Sequence, residues 1–314
     1  MPRRPGAIAR IEPATMPVVR LARDRPREVV AHEVRSGRWE RATRGVYVAA
    51  KGPDDETSFD RDRRLALARI AGIDRRLTAR HWFSHESAAL VWGLPVVRMP
   101  TTTHVLGVRP AGGARTAAII SHTGRTDDSE LTIAAGVPVT SLARTVADCL
   151  ATLPPAHGLV IADAALHRGL PRGDLEAAVA ALPARRGSAR ARAVLAIADD
   201  GAESPGESMA RFVVIRDGLP LPTTQIPVAT RLGTFWSDFG WAQWHVLVEY
   251  DGQQKYGSAT NLFEEKRRHD ALVEAGERVI RVTHADLPRL TTRLLPYLPS
   301  SLAGTVRVRR MLAA

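Results

Sequence analysis

The sequence contains 314 residues, of which 45% are hydrophobic and 25% are charged. This length suggests two or three domains, and the composition is that of a globular chain, which excludes a disordered or fibrous protein. No apolar run reaches the ~18–20 residues that cross a bilayer, and the N-terminus lacks the apolar core of a signal peptide. The single cysteine, Cys149, excludes an internal disulfide framework. We therefore expect a cytoplasmic protein with no membrane partner.

The charge is unevenly distributed along the chain. The net charge is +11, and all 44 basic residues except Lys51, Lys255 and Lys266 are arginine. Residues 1–50 hold eleven arginines and five acidic residues. Because basic side chains release counterions from phosphates, this distribution indicates a nucleic-acid partner. A solvated arginine-rich surface is the alternative.

Residues 18–50 predict a short helix followed by a β-hairpin. Pro26 suits a helix start and Gly37 a helix end, and two strand-like segments then flank Thr43-Arg44-Gly45. This pattern is typical of a winged helix-turn-helix unit, which we assign to residues 1–55. The alternative is a small αβ cap with exposed arginines. The predicted DNA contacts are Arg27 and Arg35 on the helix and Arg41 and Arg44 on the hairpin.

The middle of the chain predicts structure without clear chemistry. Residues 56–170 alternate helical and strand-like segments, which favours a mixed α/β region, and residues 171–202 predict a helical connector. His81 and His85 are four residues apart, but the HEXXH pattern is not matched. We therefore interpret these two histidines as packing or capping residues rather than metal ligands.

Residues 203–314 predict a domain with the order α-β-β-β-α-β. In the strand-like segment HVLVEYDG, side chains alternate, so Glu249 and Asp251 lie on one face. A hairpin would bring Asp238 of the preceding strand opposite Glu249. Adjacent buried carboxylates repel one another and require a positive partner. An oxygen ligand set of this kind suits Mg²⁺ or Mn²⁺.

This segment resembles the PD-(D/E)XK nuclease-like superfamily, in particular its very-short-patch-repair branch. The resemblance covers roughly residues 203–288. It rests on Glu207, on SDF at 237–239, on VEYDG at 248–252, on KY at 255–256, on EKRRHD at 265–270 and on RVIRVT at 278–283. It implies a restriction-endonuclease-like core that cleaves phosphodiesters with Mg²⁺ or Mn²⁺.

The resemblance also implies roles for individual residues. Asp238 and Glu249 would ligate the metal, and Asp251 or Glu207 would add a ligand. Lys255 would steady the attacking water or the phosphate, and Arg268 would pair with a carboxylate or with DNA. The chain departs from the family motif because Asp251 stands where the motif has lysine.

An earlier part of the chain resembles AbiEi-type antitoxins of actinobacteria. The matching segments are HWFSHESAALVWGLP, VPVTSLARTVADCL and VIADAALHRG. Two hypotheses follow for an α+β multidomain protein. The first is a DNA-acting protein with a metal-dependent endonuclease domain tethered to a winged helix. The second is a non-catalytic antitoxin-like transcriptional regulator, with an inactive nuclease-like fold and a possible cognate toxin as partner.

Overall fold

The computed structural model describes residues 10–50, 56–107, 119–123, 126–184, 187–252, 259–304 and 306–312. The chain forms two compact units, one comprising Ile11–Cys149 and the other built mainly from Leu150–Ala314. Both units combine helices with a β-sheet. The predicted α+β multidomain class is thereby confirmed at this level. The finer division at residues 55, 170 and 202 stays a prediction.

The first unit begins with a small three-stranded sheet and two helices. These elements are β1 (Arg20–Leu21), α1 (Arg27–Arg35), β2 (Trp39–Thr43), β3 (Val46–Ala49) and α2 (Ser58–Asp74). The sheet is antiparallel and has the order β1-β3-β2. A turn of 3-10 helix, Ala22–Asp24, precedes α1. Gly45 forms the tip of the β2–β3 hairpin with φ +76°, a left-handed conformation that favours glycine.

Apolar side chains fix this small sheet against α2. Val46 and Val48 of β3 are buried in one core with Leu21 and with Ala68 of α2. Gly72 of α2 lies close to Val46. A β-carbon on residue 72 would come within 2.4 Å of the Val46 side chain. The hairpin is therefore held on a packed framework.

The rest of the described first unit forms a second sheet of five strands, together with two helices. Its elements are β4 (Trp82–Phe83), α3 (His85–Val91), β5 (Thr103–Leu106), β6 (Ile119–His122), β7 (Leu131–Ala134), β8 (Val137–Thr140) and α4 (Leu142–Thr152). The strand order is β6-β5-β4-β8-β7, so β6 is an edge strand. It pairs with β5 in parallel.

The second unit consists of helices followed by a four-stranded sheet. Its helices are α5 (Pro155–His167), α6 (Arg172–Ala180), α7 (Ser188–Leu195), α8 (Pro205–Arg216), α9 (Ala259–Glu274), α10 (Leu290–Leu294) and α11 (Ser300–Ala303). Its strands are β9 (Thr223–Thr230), β10 (Gly233–Trp241), β11 (Val246–Tyr250) and β12 (Arg278–Val282), in the order β12-β11-β10-β9. The predicted order α-β-β-β-α-β is present from α8 to β12. Its assignment to a nuclease core stays a prediction.

A buried ion pair lies in the helical part of the second unit. Arg211 of α8 donates from Nη2 to both carboxylate oxygens of Asp163 at 3.0 and 2.8 Å, and from Nη1 to the Ile197 carbonyl at 2.7 Å. Asp163 Oδ1 also accepts from the Asp199 backbone amide. Burial raises the pKa of Asp163, and Arg211 opposes this rise. Both carboxylate oxygens of Asp163 and both terminal nitrogens of Arg211 therefore have hydrogen-bond partners, whereas Arg211 Nε has none in the described structure.

None of the described helices is long and apolar enough to span a membrane.

Candidate functional site

Three carboxylates lie near one another where α8 begins and where β10 and β11 pair. We call Glu207, Asp238 and Glu249 the carboxylate cluster. Ser204 caps α8 by accepting from the Glu207 amide at 3.2 Å, and Glu207 Oε2 accepts from the Glu203 amide at 2.8 Å. The antiparallel register pairs Phe239 with Val248. Asp238 precedes Phe239 and Glu249 follows Val248, so the two carboxylates are neighbours across the hairpin, as the sequence predicts.

The Asp238 carboxylate makes a hydrogen bond but no ion pair in the described structure. Its Oδ2 accepts from the Tyr250 amide at 2.6 Å. Burial, followed by the charges of Glu207 and Glu249, raises the pKa of Asp238 to about 8, although the Tyr250 amide and Arg268 act in the opposite direction. At neutral pH this carboxyl group therefore carries a proton for much of the time.

A guanidinium group already contacts the Glu249 carboxylate. Arg268 of α9 donates from Nη2 to Glu249 Oε1 at 2.5 Å and to the Trp236 carbonyl at 3.0 Å. Arg281 Nε lies 3.9 Å from Glu249 Oε2, and Arg281 Nη1 is 2.7 Å from Glu265 Oε1. Arg268 thus acts here as the partner of a buried carboxylate.

The remaining two predicted residues of this site lie beyond β11. Asp251 is half-buried, and its backbone amide donates to the Val282 carbonyl at 2.8 Å. Lys255 lies outside the described residues. Among the described residues, a group of three metal-ligating side chains can be recognised by ligand atoms that all lie within 4.8 Å of one another. The carboxylate cluster does not meet this criterion. A metal-binding or catalytic role for these residues stays a prediction.

Of the five arginines predicted to contact DNA, the four in the first unit are exposed. Arg27 and Arg35 lie on α1, and Arg41 and Arg44 lie on the β2–β3 hairpin. Within the described ranges, none of these four side chains makes an ion pair or a hydrogen bond through its guanidinium group. We call them the unpaired arginines.

Neighbouring arginines, by contrast, have carboxylate partners. Arg38 binds Glu33 with two hydrogen bonds of 2.7 and 2.8 Å. Arg64 of α2 reaches Glu40 of β2 at 2.8 Å, and Arg61 contacts the same carboxylate. These bonds attach the hairpin to α2 and leave its exposed arginines available.

Three histidines that are far apart in the sequence meet in the first unit. His85 begins α3, His104 lies on β5 and His122 ends β6, and we call them the histidine trio. His104 Nδ1 lies 2.9 Å from His122 Nε2, and the rings of His85 and His122 stack with centroids 3.8 Å apart. Burial, and then the charge of His122, lowers the pKa of His104 to about 4, so His104 is neutral at pH 7.

His81 and His85, interpreted together from the sequence as packing or capping residues, have different surroundings. His81 contacts Asp74 Oδ1 at 3.1 Å and the Ala79 carbonyl at 2.8 Å, as a packing histidine does. His85 belongs to the trio. The sequence carries no spacing that reveals this cluster, because the strand pairing of Leu106 with His122 brings its members together.

The fold and these sites define a two-unit α/β protein with an arginine-rich helix and hairpin in one unit and buried carboxylates in the other. The chain belongs to the family of two Mycobacterium tuberculosis proteins, uncharacterized protein MT2308 of strain CDC 1551 / Oshkosh and uncharacterized protein Rv2248 of strain ATCC 25618 / H37Rv. It is 30% identical to each over 276 residues, which cover 83% of this chain and 92% of the relative.

Two further comparisons add little to this relationship. No family model matches the chain. The crystal structure of the RV2827C protein from M. tuberculosis aligns with a TM-score of 0.37 and 16% identity, over 62% of this chain and 75% of that one. This likeness is too weak to support an argument about function.

Proposed function

We propose that this protein binds duplex DNA through its N-terminal unit and acts as a non-catalytic regulator of the antitoxin type. The observation that carries the proposal is the set of unpaired arginines on α1 and the β2–β3 hairpin. Elsewhere many arginines are bound to carboxylates, so four unbound guanidinium groups on neighbouring elements suggest an external anionic partner.

The order of the elements supports this assignment. A 3-10 turn, α1 and a hairpin follow one another, and the sheet order is β1-β3-β2. Only Val30 of α1 is buried, so this helix offers most of its surface to a partner. In a winged helix-turn-helix unit, such a helix enters the major groove. The hairpin arginines would then contact the phosphate backbone.

The second unit would serve as a scaffold in this proposal. The nuclease resemblance implies Mg²⁺ or Mn²⁺, but Glu249 is bound by Arg268 and Asp238 is bound by the Tyr250 amide. A divalent ion needs carboxylate oxygens that are free to bind it at one point. The described side chains, as arranged, therefore do not fit such an ion, and we derive no catalytic step from it.

Gel-shift titrations of the full chain test the proposal. We expect binding to a DNA fragment from upstream of the protein's own gene, and weaker binding by the double variant Arg41→Ala/Arg44→Ala. The matched control is Arg231→Ala, which removes an exposed arginine that is paired with Glu274. Equal affinity of all three proteins would contradict the proposed interface.

A second candidate function is metal-dependent phosphodiester cleavage. It is favoured by the grouping of Glu207, Asp238 and Glu249, where burial and the neighbouring charges raise the pKa of Asp238, and an ion would bind there only after Arg268 leaves Glu249. A plasmid-nicking assay with Mg²⁺ or Mn²⁺ distinguishes the two functions. Cleavage by the wild type that is lost in both Asp238→Ala and Glu249→Ala would support the enzyme. DNA binding without cleavage would support the regulator.

A further inference from the structure

We propose that the histidine trio binds a transition-metal dication of the Zn²⁺ type. The site uses three imidazoles, from His85 of α3, His104 of β5 and His122 of β6. The proposal concerns a different site from the carboxylate cluster and a different class of metal. It stands independently of the proposed DNA binding.

The distances between the rings suit one shared ion. One ligand nitrogen from each histidine can be chosen so that all three lie within 4.8 Å of one another. A tetrahedral Zn²⁺ with Zn–N bonds of ~2.0–2.1 Å holds its ligand nitrogens ~3.4 Å apart. Imidazole lone pairs lie in the ring plane, and the His122 ring is stacked on the His85 and His104 rings, so binding requires the rings to turn out of this stack. His104 Nδ1 and His122 Nε2 face each other at hydrogen-bonding distance, 2.9 Å, so a metal ion would take the place of the proton between them and release it.

Polar groups lie behind two of the rings. Ser84 Oγ is 2.9 Å from His85 Nδ1, and Glu86 Oε2 is 4.0 Å from His104 Nε2. In metal sites, a ligating histidine is oriented by a hydrogen bond or a carboxylate at its other ring nitrogen. Glu86 faces His104 Nε2, whereas His104 Nδ1 faces His122. At 4.0 Å the Glu86 carboxylate lies on the correct side of His104 but beyond hydrogen-bonding distance, so it would have to move closer to orient the ring as a positioning residue.

Backbone strain at His85 is a separate observation. His85 has φ +52°, which lies in the left-handed region that is uncommon for residues other than glycine, although histidine adopts it more often than most. The residue is also buried. Strain of this kind collects at ligand-binding positions, and here it accompanies the stacking of the His85 imidazole on His122.

The ligand chemistry selects the class of metal. Imidazole nitrogens bind Zn²⁺, Co²⁺, Ni²⁺ and Cu²⁺, whereas Mg²⁺ prefers oxygen ligands. Three imidazoles leave one position of a tetrahedral shell, which water can occupy. The ion would join the edge strand β6 to β5 and to the start of α3. We therefore infer a clamp on the edge of the five-stranded sheet.

Metal titration of the full chain without a histidine tag tests the inference. We expect one Zn²⁺ per chain by calorimetry, and one Co²⁺ per chain with the visible absorption of a tetrahedral site. His104→Gln and His122→Gln should each lower Zn²⁺ affinity at least ~100-fold, and Glu86→Gln should lower it about 10–100-fold. The control His81→Gln removes another buried histidine and should leave the stoichiometry and spectrum unchanged.

Several outcomes would overturn the inference. One is a wild type with no tetrahedral Co²⁺ spectrum and no Zn²⁺ binding above that of the His104→Gln/His122→Gln variant. Another is equal loss of binding in His81→Gln. Circular dichroism of each variant identifies those that do not fold. If His104→Gln and His122→Gln both fail to fold, the wild-type Co²⁺ spectrum and stoichiometry decide the matter, since they require no variant.

Discussion

The arginines on α1 and the β2–β3 hairpin differ from three arginines of the second unit in what their guanidinium groups contact, although they are the same residue type. In the second unit, Arg211 binds Asp163, Arg268 binds Glu249 and Arg231 binds Glu274. On α1 and the β2–β3 hairpin of the first unit, the unpaired arginines have no carboxylate partner in the described structure. Arginine content alone therefore says little about function, whereas the partner of each guanidinium group separates structural arginines from available ones.

The largest expected effect comes from breaking the buried ion pair between Asp163 and Arg211. Asp163→Ala leaves the Arg211 guanidinium buried without its carboxylate, and such a change costs about 3–5 kcal/mol of unfolding free energy. Urea denaturation followed by circular dichroism measures this loss. The matched control is Glu176→Ala, which removes a carboxylate exposed on α6 and paired with Arg172 at 3.0 Å. We expect about 0–1 kcal/mol from this exposed pair, and equal losses would remove the distinction.

An intermediate effect is expected at Arg268. Glu249→Gln removes the charge that this guanidinium group faces but retains a hydrogen-bond acceptor, and the Trp236 carbonyl remains bound. We expect a loss of about 1–3 kcal/mol, as for a buried hydrogen bond to a charged group. The same denaturation experiment measures it, with Glu274→Gln as the exposed control. A more stable Glu249→Gln protein would mean that Arg268 does not neutralise the carboxylate cluster.

The protonation of Asp238 predicts a pH-dependent effect. Its pKa in the folded protein is raised to about 8 from an ordinary value of 3.8, so the folded state holds the proton more tightly than the unfolded state. This contribution to the unfolding free energy is present below pH 4 and is lost as the pH rises to 8. Because the unfolded chain is ionised and the folded carboxyl is protonated over most of this range, we expect a loss on the order of 1 kcal/mol per pH unit between pH 5 and 8.

The variant Asp238→Asn removes that titration. Its unfolding free energy should therefore change less than that of the wild type between pH 5 and 8, which urea denaturation at a series of pH values measures. Parallel pH profiles for the two proteins would show that Asp238 is ionised in the folded state. In that case, positive charge near the carboxylate cluster would offset its negative charges more fully than the contacts in the structure indicate.

Local pattern was enough to predict most elements but not every site. The helix ending near Gly37, the hairpin around Arg44 and the α-β-β-β-α-β order were predicted from periodicity and turn residues, and the structure contains them. The short strands β1 and β4 were missed, because two-residue strands have no readable alternation.

The sites were predictable to the extent that their residues are neighbours in the sequence or on one hairpin. Asp238 and Glu249 could be paired by counting from a turn. The binding of Arg268 to Glu249 and the meeting of His104 with His122 depend on how α9 and β6 pack. These contacts follow from tertiary structure, so a single sequence contains no spacing that predicts them.

The salt dependence of DNA binding tests the central claim most directly. Each phosphate contact contributes about 0.9 to the slope of log K against log salt concentration. Alanine substitution of Arg27, Arg35, Arg41 and Arg44 should therefore reduce the slope by about 3–4, with little change in stability. A control with Arg172→Ala and Arg231→Ala, which removes two exposed paired arginines, should keep the wild-type slope. Identical slopes for all three proteins would contradict the account.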